Sequence, residues 1–250
     1  MNPSNLWRWL VAVTLAVALL LPGPASAAMR CDGTDDLINF GNETALNGIA
    51  EITASFWVFR EASGTTKRII SKVSGTTYTL AITGESTERL GFITDGSGGN
   101  ASITVNNALP QGVWVHVAAR YNGNGNGNAG RHQVWIDGVF QALVYTGTIA
   151  ATPSSTSAEM GYCGNPTTAN ENFNGQLANV KVWTAALSEE EIFTEMFTYA
   201  PVRRANLLMW HTLDNTSPLN YDLSGNGKHG TLSGAPVYTP GYPPVTYGGN

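Results

Sequence analysis

Carboxylates are scarce in this chain, 18 Asp and Glu among 250 residues, so the places where they gather matter. Asp32, Asp35 and Asp36 fall in one turn-like stretch near the start. Near the other end, Asp222, Ser224 and Asn226 occupy alternating positions of Asp-Leu-Ser-Gly-Asn-Gly. Asp and Asn spaced this way turn hard oxygens toward one centre, as Ca²⁺ prefers, and glycine permits the sharp bends. The same residues also cap their own backbone in turns, so both readings stand at this level. Glu189 to Glu191 follow Ser188, which makes them a capping box at a helix start rather than paired catalytic acids. His211 and His229 lack zinc-ligand spacing. His116 lies in an alternating strand and is expected to be a structural hydrogen-bonder. No Gly-x-Ser-x-Gly elbow is present. No catalytic residue is expected, and the chain reads as a non-enzyme.

The elements that must position these residues are short strands. Ile52, Ala54, Phe56 and Val58 alternate along one face, as do Val113, Val115, Val117 and Ala119. Further runs lie at 68–73, 76–83, 90–94, 132–136 and 177–183, with a single return strand expected over 139–145 after the Asp137-Gly138 hairpin turn. One helix is predicted from Ser188 to near 198, stopping before Pro201. Asn122 to Asn128, an alternating Asn-Gly run without a carboxylate, reads as a flexible hairpin tip. The composition agrees. There are 27 Thr and 22 Asn against 4 Lys, and charged residues are 12% of the chain. Thr favours strands and Asn favours turns. A net charge of −5 offers no basic excess for nucleic acid.

Residues 1–27 read as a signal peptide. Arg8 precedes an apolar run from Leu10 to Leu21, which Pro22-Gly23-Pro24 breaks before a small-residue Ala25-Ser26-Ala27 site. The run is shorter than the roughly 20 residues of a membrane-spanning helix. A secreted or periplasmic product is expected, with one domain over 28–235, a Pro/Gly-rich tail over 236–250, and no membrane span after cleavage. Export would permit Cys31 and Cys163 to form a disulfide; two buried thiols are the alternative. Sequons stand at Asn42, Asn100 and Asn215.

Six segments in order resemble laminin-G-like domains of the concanavalin A-like lectin/glucanase superfamily. They are Met29 to Asp36, with Cys31 where that family carries an aromatic residue, Ile52-Thr-Ala-Ser-Phe-Trp-Val58, Ile69-Ile-Ser-Lys72, Trp114-Val-His-Val-Ala118, Val134-Trp-Ile-Asp-Gly138, and Phe173 to Ser188. The segment Leu207 to Asp214 with Tyr221 to Leu232 resembles a strand and loop often found at the start of such domains, here placed last. The resemblance implies an all-β, two-sheet antiparallel jelly-roll sandwich. It also implies calcium held by Asp32 or Asp35 together with Asp222, with Asn226 and loop carbonyls alongside. Glucanases of this superfamily carry Glu-x-Asp-x-x-Glu on one strand, placing acids on one face about a glycosidic bond; that run is absent here.

A binding module for a glycan or an extracellular protein is therefore the expected function. The alternative is a structural or adhesion subunit of an extracellular assembly, with self-association. Sugar sites pair an aromatic platform with planar hydrogen-bonding groups. Strand tryptophans beside valine are expected mostly in the core; Trp57, Trp114 and Trp135, which oppose the aliphatic set within their strands, are the candidate platforms among them, with Tyr121, Asn165 and Asn172 as looser candidates.

Overall fold

Strands that are apolar on one face must bury it, and two such sheets do so against each other. The computed structural model describes residues 27–240 except 63, 65, 96–100, 168–170, 215 and 216. Its strands are β1 (Ala27–Asp32), β2 (Leu37–Asn39), β3 (Glu51–Arg60), β4 (Lys67–Ser74), β5 (Thr77–Glu85), β6 (Arg89–Ile93), β7 (Ala101–Thr104), β8 (Trp114–Asn122), β9 (His132–Ile136), β10 (Val139–Phe140), β11 (Leu143–Thr146), β12 (Met160–Tyr162), β13 (Asn174–Trp183), β14 (Leu207–His211), β15 (Thr231–Ser233) and β16 (Val237–Pro240). Two short α-helices, α1 (Gly127–Arg131) and α2 (Glu189–Glu195), and two 3-10 turns, Thr44–Leu46 and Ser86–Glu88, complete the described residues.

The first sheet, A, runs β10-β9-β8-β3-β13-β1-β16, with β14 also paired to β13. The second, B, runs β11-β7-β6-β5-β4-β12-β2-β15. All the strand pairings are antiparallel. This is the jelly-roll sandwich that the sequence implied. The alternating sets behave as expected except at Val113, which precedes β8 and is exposed. Ile52, Ala54, Phe56 and Val58 of β3 and Val115, Val117 and Ala119 of β8 meet Leu80, Ile82, Leu90 and Phe92 from sheet B in one core. The Cys31–Cys163 disulfide, with Cα atoms 6.2 Å apart, ties β1 of sheet A to the segment just after β12 of sheet B.

Several expectations are corrected. The single return strand over 139–145 is two strands in different sheets: β10 pairs with β9, and β11 pairs with β7. The boundary at 235 does not hold either. Thr231 to Ser233 pairs with β2, and Val237 to Pro240 then pairs with β1, so the chain crosses from sheet B to sheet A through the start of the supposed tail. Asp36 pins that crossing, its Oδ1 accepting from Ala235 N at 2.7 Å and its Oδ2 from Asp32 N at 2.9 Å. Residues 1–26 of the expected leader and 241–250 of the tail lie outside the described residues; Ala27 is already paired, with Pro240. The Asn-Gly run is not a free tip. It leads into α1, where Asn128 accepts from Ile149 N and donates to Gly147 O. The helix start is as expected, with Ser188 Oγ accepting from Glu191 N and Glu191 Oε2 accepting from Ser188 N, but the helix ends at Glu195, short of the expected 198.

Burial extends to three of the four histidines. His132 lies between Thr94 and Ser102, and His211 between Tyr162 and the Lys228 carbonyl. His116 meets Ser55 Oγ through Nε2 at 2.9 Å, the structural role expected of it. Burial pulls the pKa of His116 and His132 down to about 3 and that of His211 to about 4, with the nearby Lys181 charge adding to the effect at His116. A histidine that is neutral when folded takes up a proton on unfolding below pH ~6.5, so its contribution is present at neutral pH and is lost as pH falls from there toward its folded pKa. Three such groups cost up to about 4 kcal/mol for each pH unit in that window. The melting temperature should therefore fall steeply between pH 6.5 and 4.5; a scan showing a flat melting temperature over that range would refute neutral burial.

Candidate functional site

The outer face of sheet A is closed. On β13, Lys181 points away from the main core toward α2 and meets Glu195 at 2.6 Å, with both side chains almost fully buried. Lys181 Nζ also donates to Thr198 O, and Glu195 Oε1 accepts from Val202 N. Burial pushes the Lys181 ammonium down and the Glu195 carboxyl up, while each draws the other back toward its charged form. With α2 and the chain beyond it seated there, two apolar clusters form beneath. Trp135, Trp183, Trp210, Leu187 and Ile192 make one; Trp57, Ala28, Ala178 and Met196, with half-buried Trp114 at the edge, make the other.

Sequence reasoning placed the aromatic platforms on the correct side of their strands, but they are covered. Trp57 is 5% exposed and Trp135 3% exposed. Tyr121 belongs to the main core, where its hydroxyl donates to Ala150 O. None of these three can offer a face to a sugar. Trp114 is partly exposed but leans on Phe59.

The acidic residues of the two chain ends divide. Asp32, Asp35 and Asp36 do gather, each offering one oxygen within 4.8 Å of the others. Asp222 is committed elsewhere: it accepts from Trp210 N, Ser224 N, Ser224 Oγ and Lys228 N. Burial raises its pKa, but these donors outweigh burial and hold the carboxyl below its ordinary value. Asn226 donates to Leu207 O and Leu208 O. Asp222 and Asn226 thus fasten a loop to β14, which corrects the expectation that they share a metal with Asp32 or Asp35. The three remaining carboxylates match a hard cation in donor type. Asp36 already receives two backbone donors and Asp32 Oδ1 receives Thr34 N, so Asp35 and Asp32 Oδ2 are the oxygens without such a bond.

Among the described residues, the outer face of sheet B carries a depression over β5, β6, β7 and β11. Strand alternation turns Leu90 and Phe92 into the core, so Gly91 and Ile93 face out. Across the pairs Gly91↔Ile103 and Thr146↔Ala101 the floor continues over β7 and β11. The result is a cavity of about 200 Å³ lined by Glu85, Gly91, Ile93, Ala101, Ser102, Ile103 and Thr146. A Cβ on Gly91 would collide with Thr83 Oγ1 and come within 3.1 Å of Glu85 Oε1, so the glycine is what leaves room there. Glu85 is fixed by two hydroxyl donors, Thr83 to Oε1 and Thr66 to Oε2, the latter at 2.6 Å. On β4, Arg68 stacks over Tyr78 and makes a two-pronged ion pair with Glu171 at 2.7 and 3.2 Å. Of the looser candidates, Asn165 accepts from Thr167, and Asn172 donates to Thr34 O. None of the cavity residues was singled out from sequence. One signal was present: a glycine between Leu90 and Phe92 inside a strand marks a close approach.

This architecture defines the class: a two-sheet sandwich with one sheet face capped by a helix and the other carrying a shallow cavity. A family model of the concanavalin A-like lectin/glucanases superfamily, of laminin-G type, matches residues 32–193, and the chain belongs to that family. No curated protein sequence matches it. Among solved structures, a protein from Bacteroides ovatus to which carbohydrate binding is ascribed superposes with a TM-score of 0.66 at 15% identity. The match covers 90% of this chain and 63% of that one, so this chain spans less than two thirds of its length. The CBM40 of the Ruminococcus gnavus IT-sialidase, bound to α2,6 sialyllactose, superposes with a TM-score of 0.53 at 10% identity, covering 68% of this chain and 96% of that one. At these identities the likeness is one of fold. Truncating Trp135 or Tyr121 to Ala should lower stability by about 3–5 kcal/mol in chemical denaturation; a surface platform would lose almost none.

Proposed function

We propose that the protein is a secreted, non-catalytic binding module that recognises a carbohydrate, free or on a surface glycoprotein, through the cavity on the outer face of sheet B. The observation that carries this reading is the cavity itself. Its floor of Gly91, Ile93, Ala101 and Ile103 is apolar and its rim holds Glu85 and Thr146. A pyranose presents the complementary pair, an apolar C–H face and a ring of hydroxyls. The cavity is smaller than the roughly 300–1,000 Å³ of a drug-sized site, which suits one sugar ring. The fold shared with the Bacteroides ovatus protein and the sialyllactose-bound CBM40 supports a binding rather than a catalytic role. The disulfide supports export to an oxidising compartment, and among the described residues no helix is long and apolar enough to cross a membrane. The wild-type protein should be retained on members of a broad glycan array. Gly91→Val, whose side chain would push against Thr83 Oγ1 and Glu85 and so lower stability, should abolish retention, and Thr146→Trp at the exposed rim should abolish it with the melting temperature within a few degrees of wild type. Retention that survives Gly91→Val places the site elsewhere.

Calcium belongs to the same proposal. Asp32 and Asp35, with Asp36 behind them, would hold it, and the ion would lock the turn after β1 against the crossing from β15 to β16. Exposed, partly committed ligands of this kind suit the ~10⁻⁴–10⁻³ M affinities of extracellular modules. Calorimetry should show calcium uptake in that range and a Asp35→Asn variant should lose it; absence of heat with the wild-type protein rejects the site.

A further inference from the structure

On the reading that the sheet B cavity takes a sugar, we infer its chemical class: a neutral ring rich in hydroxyls, with Glu85 the residue that sets specificity and acidic sugars rejected. Of the seven residues lining the cavity, Glu85 is the one with an acidic side chain. A carboxylate only accepts hydrogen bonds, with about four lone-pair sites on its two oxygens. Thr83 and Thr66 each occupy one and fix the group in place, so further sites remain for donors brought by the ligand. Sugar hydroxyls are such donors; the carboxylate of a sialic acid or uronic acid, or a sulfate ester, is not, and carries like charge.

The nearby arginines do not line the cavity. Arg60, behind Gly84, donates to Leu109 O and to the Glu85 backbone carbonyl. Arg68 is engaged with Glu171 and Tyr78. Arg89, opposite Glu85 in the strand pairing, donates through Nε to Ser86 O and does not line the cavity. Among the described residues, no arginine or lysine lines the cavity to receive an anionic sugar. The apolar floor of Ile93 and Ile103 takes the C–H face of the ring, and Thr146 stands at the opposite rim. Sharing a fold with a module bound to sialyllactose thus does not carry that ligand's acidity to this site.

The test uses a panel of neutral sugars, each paired with its sialylated, sulfated or uronate counterpart, titrated against the wild-type protein, Glu85→Gln and Glu85→Asp. The wild-type protein should bind at least one neutral member at least ~10-fold more tightly than its acidic counterpart. Glu85→Gln keeps the shape but removes the charge; it should weaken neutral binding about tenfold, the loss expected for a hydrogen bond to a charged group, and narrow the neutral-to-acidic ratio. Glu85→Asp keeps the charge and withdraws it, so it should weaken neutral binding while still rejecting acidic sugars. Equal or tighter binding of the acidic members, or a ratio unchanged by Glu85→Gln, overturns this inference and leaves the carbohydrate reading standing as long as Gly91→Val still blocks binding. Binding to no member of the panel overturns the carbohydrate reading and this inference with it.

Discussion

The buried pair of Lys181 and Glu195 settles how this sandwich meets solvent. Two opposite charges at 2.6 Å, with almost no exposed side-chain surface, are costly to take out of water and are tolerated only when their remaining hydrogen bonds are met. Here the Thr198 carbonyl and the Val202 amide meet them. Loss of either partner would strand the other in an apolar layer, so the pair holds α2 to sheet A in one position. Everything under the helix follows from that contact. The tryptophans on the outer side of β3, β9, β13 and β14 become a second core, and sheet A is buried on both faces along its central strands.

A sheet closed on both sides leaves recognition to its partner. Sheet B is covered in part: Ser71 donates to Gly164 O, and Thr167 donates to Val73 O. Between these contacts and the edge strand β11, the small and aliphatic residues of β6 and β7 line the cavity beside Gly91. The disulfide and the Asp36 crossing bind the two layers together at the chain's beginning and end, so the face that carries the cavity is held by both covalent and hydrogen-bonded ties. The site then sits on strands rather than on loops, which limits how far its side chains can move.

The acidic residues show the same division of labour. Asp36 and Asp222 look alike in sequence, each next to turn residues. Asp36 ends up receiving the amide that starts the crossing to β16, and Asp222 receives four donors from its own loop and β14. Both satisfy backbone groups that would otherwise be left unpaired. Of Asp32, Asp35, Asp36 and Asp222, the first two retain oxygens with no backbone donor among the described residues, so the four-residue metal pattern read from spacing, Asp32, Asp35, Asp222 and Asn226, is twice as wide as what the fold leaves available.

Local physics made the sandwich, the capping box at Ser188 and the inward aliphatic sets legible from the sequence, because period-two alternation and turn chemistry act over a few residues. It also showed that Trp57, Trp114 and Trp135 oppose the aliphatic face. What covers that opposite face depends on Glu195 reaching Lys181 and on where residues 184–206 come to rest, which no local pattern encodes. The same holds for the cavity. Gly91, Ile93, Ile103, Thr146 and Glu85 come from four strands, and they form one surface only once the register of sheet B is set. The sequence determined which side of each strand is apolar; the tertiary structure decided which outer face is sealed and which one a ligand can reach, because that depends on contacts between residues far apart in the chain.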